Sequence, residues 1–160
     1  MSYKAIRTND KDKDSRQCWR TPKDLFDRLH QAFNFTVDSA ASSDNHLLPN
    51  YWSEQTNGLT QDWSQEIVFC NPPFSLCKEF LAKGPTAKGA CFLFPVTALS
   101  TSYFLRYTPD YLLVPTPRVK YLPPVGFEEK YKNTSPSIGS VILLFKLHAP
   151  IVGMNRFHLC

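Results

Sequence analysis

The chain has 160 residues, and its 18 Lys and Arg against 14 Asp and Glu give a formal net charge of +4. That length suits one domain with a real core, and 42% apolar with 20% charged residues excludes a disordered chain. No apolar run approaches the roughly 18 residues of a membrane span, and the polar opening MSYKAIRTNDKDKD has no apolar h-region, so secretion is not expected.

Residues 1–17 are polar and dense in charge of both signs, and read as a solvated arm or a basic contact to phosphate. The ordered domain is expected over 18–148. A helix is predicted from Pro22 to about Phe33. Thr21 can cap it, Pro22 suits its first position, Asp24 favours the positive end of its dipole, and Leu25, Phe26, Leu29, Ala32 and Phe33 keep helical spacing. Phe35 to Asp38 is a short strand ending in an acid, and from Ala40 to Asp62 the pattern breaks into turns. Ile67 to Cys70 is an apolar run stopped by Asn71-Pro72-Pro73, as expected of a strand buried on both faces.

A helix is predicted over Ser75 to about Lys83, a buried strand over Ala90 to Pro95, and a short helix over Thr101 to Tyr107. Tyr111 to Val114 is a strand halted by Pro115, and Val119 to Leu122 is a candidate for another. Residues 123–136 form a polar loop, Ile138 to Phe145 should lie deep in a sheet, and 149–160 reads as a weakly patterned tail. This alternation argues for an α/β domain with a mainly parallel sheet and helices on its faces. Ligands of such sheets bind beyond the carboxyl ends of the strands, where Asp38 and Asn71 stand.

The five cysteines are odd in number and lack C-x-x-C spacing, and the four histidines form no pair at helical spacing. A disulfide scaffold and a metal centre are therefore not expected, and a reducing cytosol is. The mild basicity permits a nucleic-acid partner without requiring one.

Asn71-Pro72-Pro73-Phe74 is the most informative tetrapeptide. Two prolines alone would stop a strand. The flanking amide and aromatic ring ask for more. The Asn71 side chain offers a carbonyl acceptor, and Pro72 offers a backbone carbonyl held in direction by two rings. Two rigid acceptors can hold both hydrogens of a planar NH2 group while Phe74 stacks on its heterocycle. Acceptors out of the ring plane favour a pyramidal nitrogen with a localised lone pair, which makes a poor nucleophile reactive without a strong base.

The tetrapeptide resembles the Pro-Pro motif of amino-group methyltransferases that use S-adenosylmethionine. Trp19-Arg20-Thr21-Pro22, Phe35 to Ser42 with Asn45, Gly58-Leu59, Asp62-Trp63, Phe94 to Thr97, Arg118 to Tyr121 and Pro136-Ser137 follow in order. Together they resemble the small phage-type DNA N6-adenine methyltransferases over roughly residues 19 to 146. The resemblance implies an abbreviated Rossmann-like methyltransferase fold and direct in-line transfer to N6. It implies Asn71, Pro72, Pro73 and Phe74 as catalytic residues, and Trp19, Thr21, Pro22, Asp38, Ala40, Asn45, Asp62, Trp63 and Asn71 as cofactor contacts. Thr21-Pro22 would meet the cofactor's methionine part, Asp38 its amino group, Asp62 its adenine amine and Trp63 its ring.

One departure stands out. Ser39-Ala40-Ala41-Ser42 replaces the usual Gly-x-Gly loop, although small residues still permit close approach. About 30 residues separate Asp38 from Ile67, too few for two further strand–helix units.

An adenine inside a duplex must be flipped out to reach Phe74. Arg118, Lys120, Lys130 and Lys132, interleaved with Tyr121 and Tyr131, make a segment able to grip DNA phosphates, diluted by Glu128 and Glu129. No base-reading module is recognised, so short or relaxed specificity is expected, or specificity through oligomerisation. The enzyme would work in bacterial or phage-infected cytosol. Cys70 and Cys77 read as core residues rather than thiolate nucleophiles. Two other readings remain: the same chemistry on RNA adenine or a protein glutamine amide, and an inactive methyltransferase fold that binds nucleic acid.

Overall fold

A computed structural model of the chain describes residues 17–148 and the backbone of residues 154–158. Residues 1–16 of the expected arm, and 149–153 and 159–160 of the expected tail, lie outside the described residues. The elements are α1 (Lys23–Phe33), β1 (Val37–Asp38), β2 (Ile67–Cys70), α2 (Cys77–Leu81), β3 (Gly89–Pro95), α3 (Ser102–Arg106), β4 (Tyr111–Pro115), β5 (Ser140–Phe145) and β6 (Met154–His158). Among the described residues no helix is long and apolar enough to cross a membrane.

The six strands form one sheet in the order β1-β2-β3-β5-β4-β6. The expected α/β, Rossmann-like architecture is present, but the sheet is not mainly parallel. Pairing is parallel from β1 through β3 and antiparallel at β3–β5, β5–β4 and β4–β6. Parallel neighbours need a crossover, which residues 39–66 supply between β1 and β2 and a helical connection supplies between β2 and β3. The long loop 116–139 instead turns the chain back, so β5 enters from the carboxyl rim, antiparallel, between β3 and β4.

Alternation along the strands divides the core in two. Val68, Cys70, Phe92, Phe94, Val141 and Leu143 meet α2, α3 and Trp63 on one face. Phe69, Cys91, Leu93, Ile142 and Leu144 meet Leu25, Phe26, Leu29 and Phe33 of α1 on the other. A sheet covered on both faces explains why these strands read as continuous apolar runs. Helix α1 ends at Asn34, which adopts the left-handed conformation (φ 53°) and donates its N–H to the His30 carbonyl at 2.8 Å.

Three local expectations change. Pro22 is the N-cap of α1 rather than its first helical residue, and no side chain caps that end. Val119–Leu122 is no strand; only Leu122 bridges, to Arg20, because Val119 and Tyr121 turn into the α1-side core. In the weakly patterned tail, Met154–His158 forms β6 along β4.

Beyond β1 no further strand–helix unit exists among the described residues. A strip of backbone closes that edge instead. Asp38 donates to the Asn50 carbonyl (3.1 Å), Trp52 to Asp38 (2.8 Å), and Ala41 to Trp52 (3.0 Å). Gly58 locks the same corner. A Cβ there would run into the Ser39 backbone carbonyl, and the Gly58 carbonyl accepts from Trp63 Nε1 at 2.8 Å. Gly58→Ala should therefore lower stability by about 1–3 kcal/mol, the usual range for overpacking. Urea unfolding of the two proteins measures it, and equal midpoints would show that the corner yields freely.

Candidate active site

β2 delivers Asn71 to the carboxyl rim of the sheet, one residue beyond buried Cys70. Asn71 is half-buried. Its Nδ2 donates to the Trp19 carbonyl (3.1 Å) and to Thr21 Oγ1 (3.0 Å). A backbone carbonyl only accepts, so the amide nitrogen must face Trp19 and Oδ1 must point elsewhere. Among the described residues neither Oδ1 nor the Pro72 carbonyl receives a hydrogen bond. The Pro73 carbonyl, by contrast, is used, accepting from Leu76 N–H (2.9 Å) and the Cys77 thiol (3.9 Å). Two carbonyl oxygens of the tetrapeptide, on half-buried Asn71 and buried Pro72, thus have no hydrogen-bond partner among the described residues.

Beside it lies a cavity of about 290 Å³. Phe74 and Cys77 line one side, Pro95, Thr97 and Ala98 the end of β3, and Thr101, Tyr103 and Ile138 the remainder. The register explains the gathering: Pro95 pairs with Ser140 at the same rim, and Val96 N–H bonds the Gly139 carbonyl at 2.8 Å. Tyr103 and Ile138 carry no motif signal and were not legible in the sequence. Burial pushes the Cys77 thiol up to about 12 and the Cys70 thiol well above its ordinary value. Both are protonated at neutral pH, which removes them as thiolate nucleophiles.

The acid at the end of β1 is enclosed. Asp38 is 4% exposed, and its Oδ2 accepts from Leu47 N–H at 3.1 Å. Burial pushes its carboxyl up to about 6, against the lowering effect of the Leu47 and Ala40 N–H groups and nearby His46. Half-buried Ala40 begins the small-residue turn beside it, and Asn45 spends its Oδ1 on Ser42 N–H (2.7 Å) in closing that turn. Asn45 is therefore a turn brace here.

Several expected cofactor contacts sit differently. Thr21 is buried and faces Asn71. Trp19 supplies the carbonyl at Asn71 while its ring lies 5.2 Å from Tyr131. Trp63 is fully buried, 6.1 Å from Phe92, so it packs in the core rather than against a cofactor ring. Its carbonyl accepts from Glu66 and Lys88, the residues leading into β2 and β3, which puts Asp62-Trp63 at the amino ends of those strands and away from Asn71. Exposed Asp62 accepts from Ser64 N–H (2.9 Å) and Oγ (3.0 Å), and these bonds hold its carboxyl below the usual range. It is the cap of a turn entering β2.

In the basic segment, Arg118 and Lys120 are exposed and have no ion-pair partner among the described residues. Lys130 Nζ lies 5.5 Å from the Tyr131 ring, and Lys132 pairs with Glu129 at 3.6 Å. Tyr121 is not a gripping residue. It is buried, bonds Ser140 Oγ at 2.8 Å, and its phenol is pushed up to about 12 by burial. Residues 17–22 strap this segment to the tetrapeptide. Gln17 Oε1 accepts from Ser75 N–H (3.1 Å), Arg20 and Leu122 exchange backbone bonds of 3.0 and 2.9 Å, and the Arg20 guanidinium pairs with Glu128 at 3.2 Å. No group of three or more metal-ligating side chains assembles among the described residues.

The model of the DNA N-6-adenine-methyltransferase (Dam) family matches residues 7–155. The DNA N-6-adenine-methyltransferase of Haemophilus phage HP1 (strain HP1c1) is 27% identical over 160 residues, covering 94% of this chain and 87% of that protein. The DNA N-6-adenine-methyltransferase of Escherichia phage T1 is 31% identical over 83 residues, 51% of this chain and 34% of that protein.

Asp38 has a thermodynamic signature. Its folded-state value, about 6, lies above the ordinary 3.8, so between those values the folded state binds the extra proton. Stability should fall as pH rises from about 4 to 6 and then level, by an amount on the order of 3 kcal/mol. Asp38→Asn should lack that slope. Denaturant unfolding across this range measures the difference, and parallel curves would mean that Asp38 is not the titrating group.

Proposed function

The chain belongs to the DNA N-6-adenine-methyltransferase (Dam) family and methylates adenine in DNA, and we propose that its catalytic rim is Asn71–Phe74, working with S-adenosylmethionine on a base turned out of the duplex. One observation carries this reading: among the described residues Asn71 Oδ1 and the Pro72 carbonyl have no hydrogen-bond partner, at a rim that also holds Phe74 and a cavity of about 290 Å³.

The N6 amine of adenine is a weak nucleophile because its lone pair is delocalised into the ring. Asn71 and Pro72 take its two hydrogens and favour the pyramidal nitrogen of the transition state over the planar ground state. Phe74 stacks on the base, and Thr97, Tyr103 and Ile138 bound the space around it. The N6 nitrogen would form its bond to the methyl carbon as the donor's S–CH3 bond breaks, the donor leaving as a neutral thioether and the surplus N6 proton passing to solvent; the buried thiols of Cys70 and Cys77, with raised pKa, offer no competing nucleophile.

The donor set fits a cationic methyl donor. Asp38 is a buried carboxyl whose pKa burial raises to about 6 despite the Leu47 and Ala40 N–H groups and nearby His46, so an added cation would stabilise its anion, and the Ser39–Ser42 turn allows close approach of a ligand. Asp38 would hold the ammonium end of S-adenosylmethionine, and Trp19, Pro22 and Asn71 would border it. When bound, that molecule supplies an electrophilic methyl group.

Extruding a base costs a few kcal/mol. Arg118, Lys120, Lys130 and Lys132 offset it through phosphate contacts, and the strap holds their loop beside the rim. On this reading the enzyme works in the cytosol of a bacterium or a phage-infected cell.

Radiolabelled methyl transfer to DNA, RNA and protein, run in parallel, should label DNA alone, as N6-methyladenine. Asn71→Ala should lower turnover by on the order of 100-fold or more while calorimetry finds the donor bound nearly as before. Phe74→Ala should weaken DNA capture. Near-normal turnover by Asn71→Ala would remove the assigned role. Separately, Lys120→Ala should reduce the salt dependence of DNA binding by about one phosphate contact, a log–log slope change near 0.9. An unchanged slope would take Lys120 off the DNA.

A further inference from the structure

We propose that Thr21 is a positioning residue that, with the Trp19 carbonyl, fixes the orientation of the Asn71 amide, in place of the cofactor contact its motif implies. This rests on Asn71 being the acceptor for the target amine.

An asparagine amide has two ends of nearly the same shape and opposite polarity. Only one end can serve here. With Oδ1 toward the target, it accepts an N6 hydrogen. Rotated by 180°, the NH2 group would face the amine's own hydrogens, donor against donor. The side chain alone has little preference, because its terminal torsion is broad and roughly two-fold. Orientation must come from neighbours.

Two neighbours supply it. The Trp19 carbonyl (3.1 Å) and Thr21 Oγ1 (3.0 Å) each take one Nδ2 hydrogen. The carbonyl rejects the rotated amide outright, since two oxygens would then meet. The hydroxyl removes the remaining freedom to swing about that single bond. Thr21 is 6% exposed, so water does not readily substitute for it. The position is well suited to the task. Pro22 immediately follows as the N-cap of α1, and Arg20 immediately precedes, paired through its backbone to Leu122. Both flanks hold the Thr21 backbone still. Nor is the hydroxyl needed by the helix, whose first turn receives no side-chain cap.

Thr21→Val keeps the shape and loses the acceptor; Thr21→Ser keeps the acceptor. In Thr21→Val, kcat should fall roughly ten- to a hundredfold, the scale of a misplaced catalytic group, with the KM for DNA unchanged. Thr21→Ser should retain near-normal turnover. Calorimetry with S-adenosylmethionine alone should give the same affinity for all three proteins. In nuclear magnetic resonance spectra, the Asn71 side-chain amide protons should exchange with water faster in Thr21→Val. Should Thr21→Val fail to fold, Thr21→Ala receives the same exchange and calorimetric measurements.

Unchanged kcat and exchange in Thr21→Val would overturn the proposal. So would weakened donor binding with unchanged Asn71 exchange, which would return Thr21 to the cofactor. On an Asn71→Ala background, Thr21→Val should cost nothing further in single-turnover rate, because no amide remains to be oriented. A further loss there also counts against it. Near-normal turnover by Asn71→Ala itself would instead be a failure of the catalytic reading, and the exchange measurement would still decide whether Thr21 orients the amide.

Discussion

The amide nitrogen of Asn71, held between a backbone carbonyl and a hydroxyl, is the interaction on which the proposed catalytic rim depends. It requires residues 19–21 to stay in place, although they lie some fifty positions away in the chain. They stay because Arg20 pairs with Leu122 through the backbone and Trp19 packs near Tyr131. The partner loop stays in turn because Val119 and Tyr121 are buried under it and the Tyr121 hydroxyl meets Ser140 at the start of β5. One polar contact at the rim therefore reaches back to the central strand. Loop and tetrapeptide are parts of one hydrogen-bonded assembly, joined through residues 17–22.

The sheet supplies the rigidity. β2, β3 and β5 are buried on both faces, with α1 on one side and α2, α3 and Trp63 on the other. Interiors packed to this degree resist displacement, which is what a pair of fixed acceptors needs. Inserting β5 antiparallel brings Gly139 and Ser140 to the same rim as Asn71 and Pro95. A wholly parallel sheet would have put that end of β5 at the opposite edge.

Much of this was legible in the sequence, and the pattern of success has physical reasons. Strands buried on both faces announce themselves as apolar runs with hard stops, so Ile67–Cys70, Gly89–Pro95 and Tyr111–Pro115 stand almost where composition puts them. Asn71 to Phe74 is a local motif, and its acceptors are a local property. Features that depend on distant partners were not legible. The hydroxyl of Thr21 looks like a helix cap until Asn71 is seen beside it. Trp63 and Tyr121 look like ligand-facing aromatics until their burial is known, because an aromatic ring serves a core and a binding surface equally well. The direction of β5 followed from a loop whose length is visible but whose path is not. Tyr103 and Ile138 reach the cavity only through tertiary folding.

The edge beyond β1 shows how a small chain dispenses with part of a larger architecture. The segment at Asn50–Trp52 lies against Asp38 and Ala41 through main-chain bonds alone, and it occupies the place where a neighbouring strand would run. Bonds of that kind ignore side-chain identity, and side chains add only a second layer of ties: Asn50 Nδ2 donates to the Thr36 carbonyl at 3.0 Å, and the Tyr51 ring stacks on His46 at 4.3 Å. The border of the sheet beside Asp38 is thus closed by main chain, at no cost in further strands or helices.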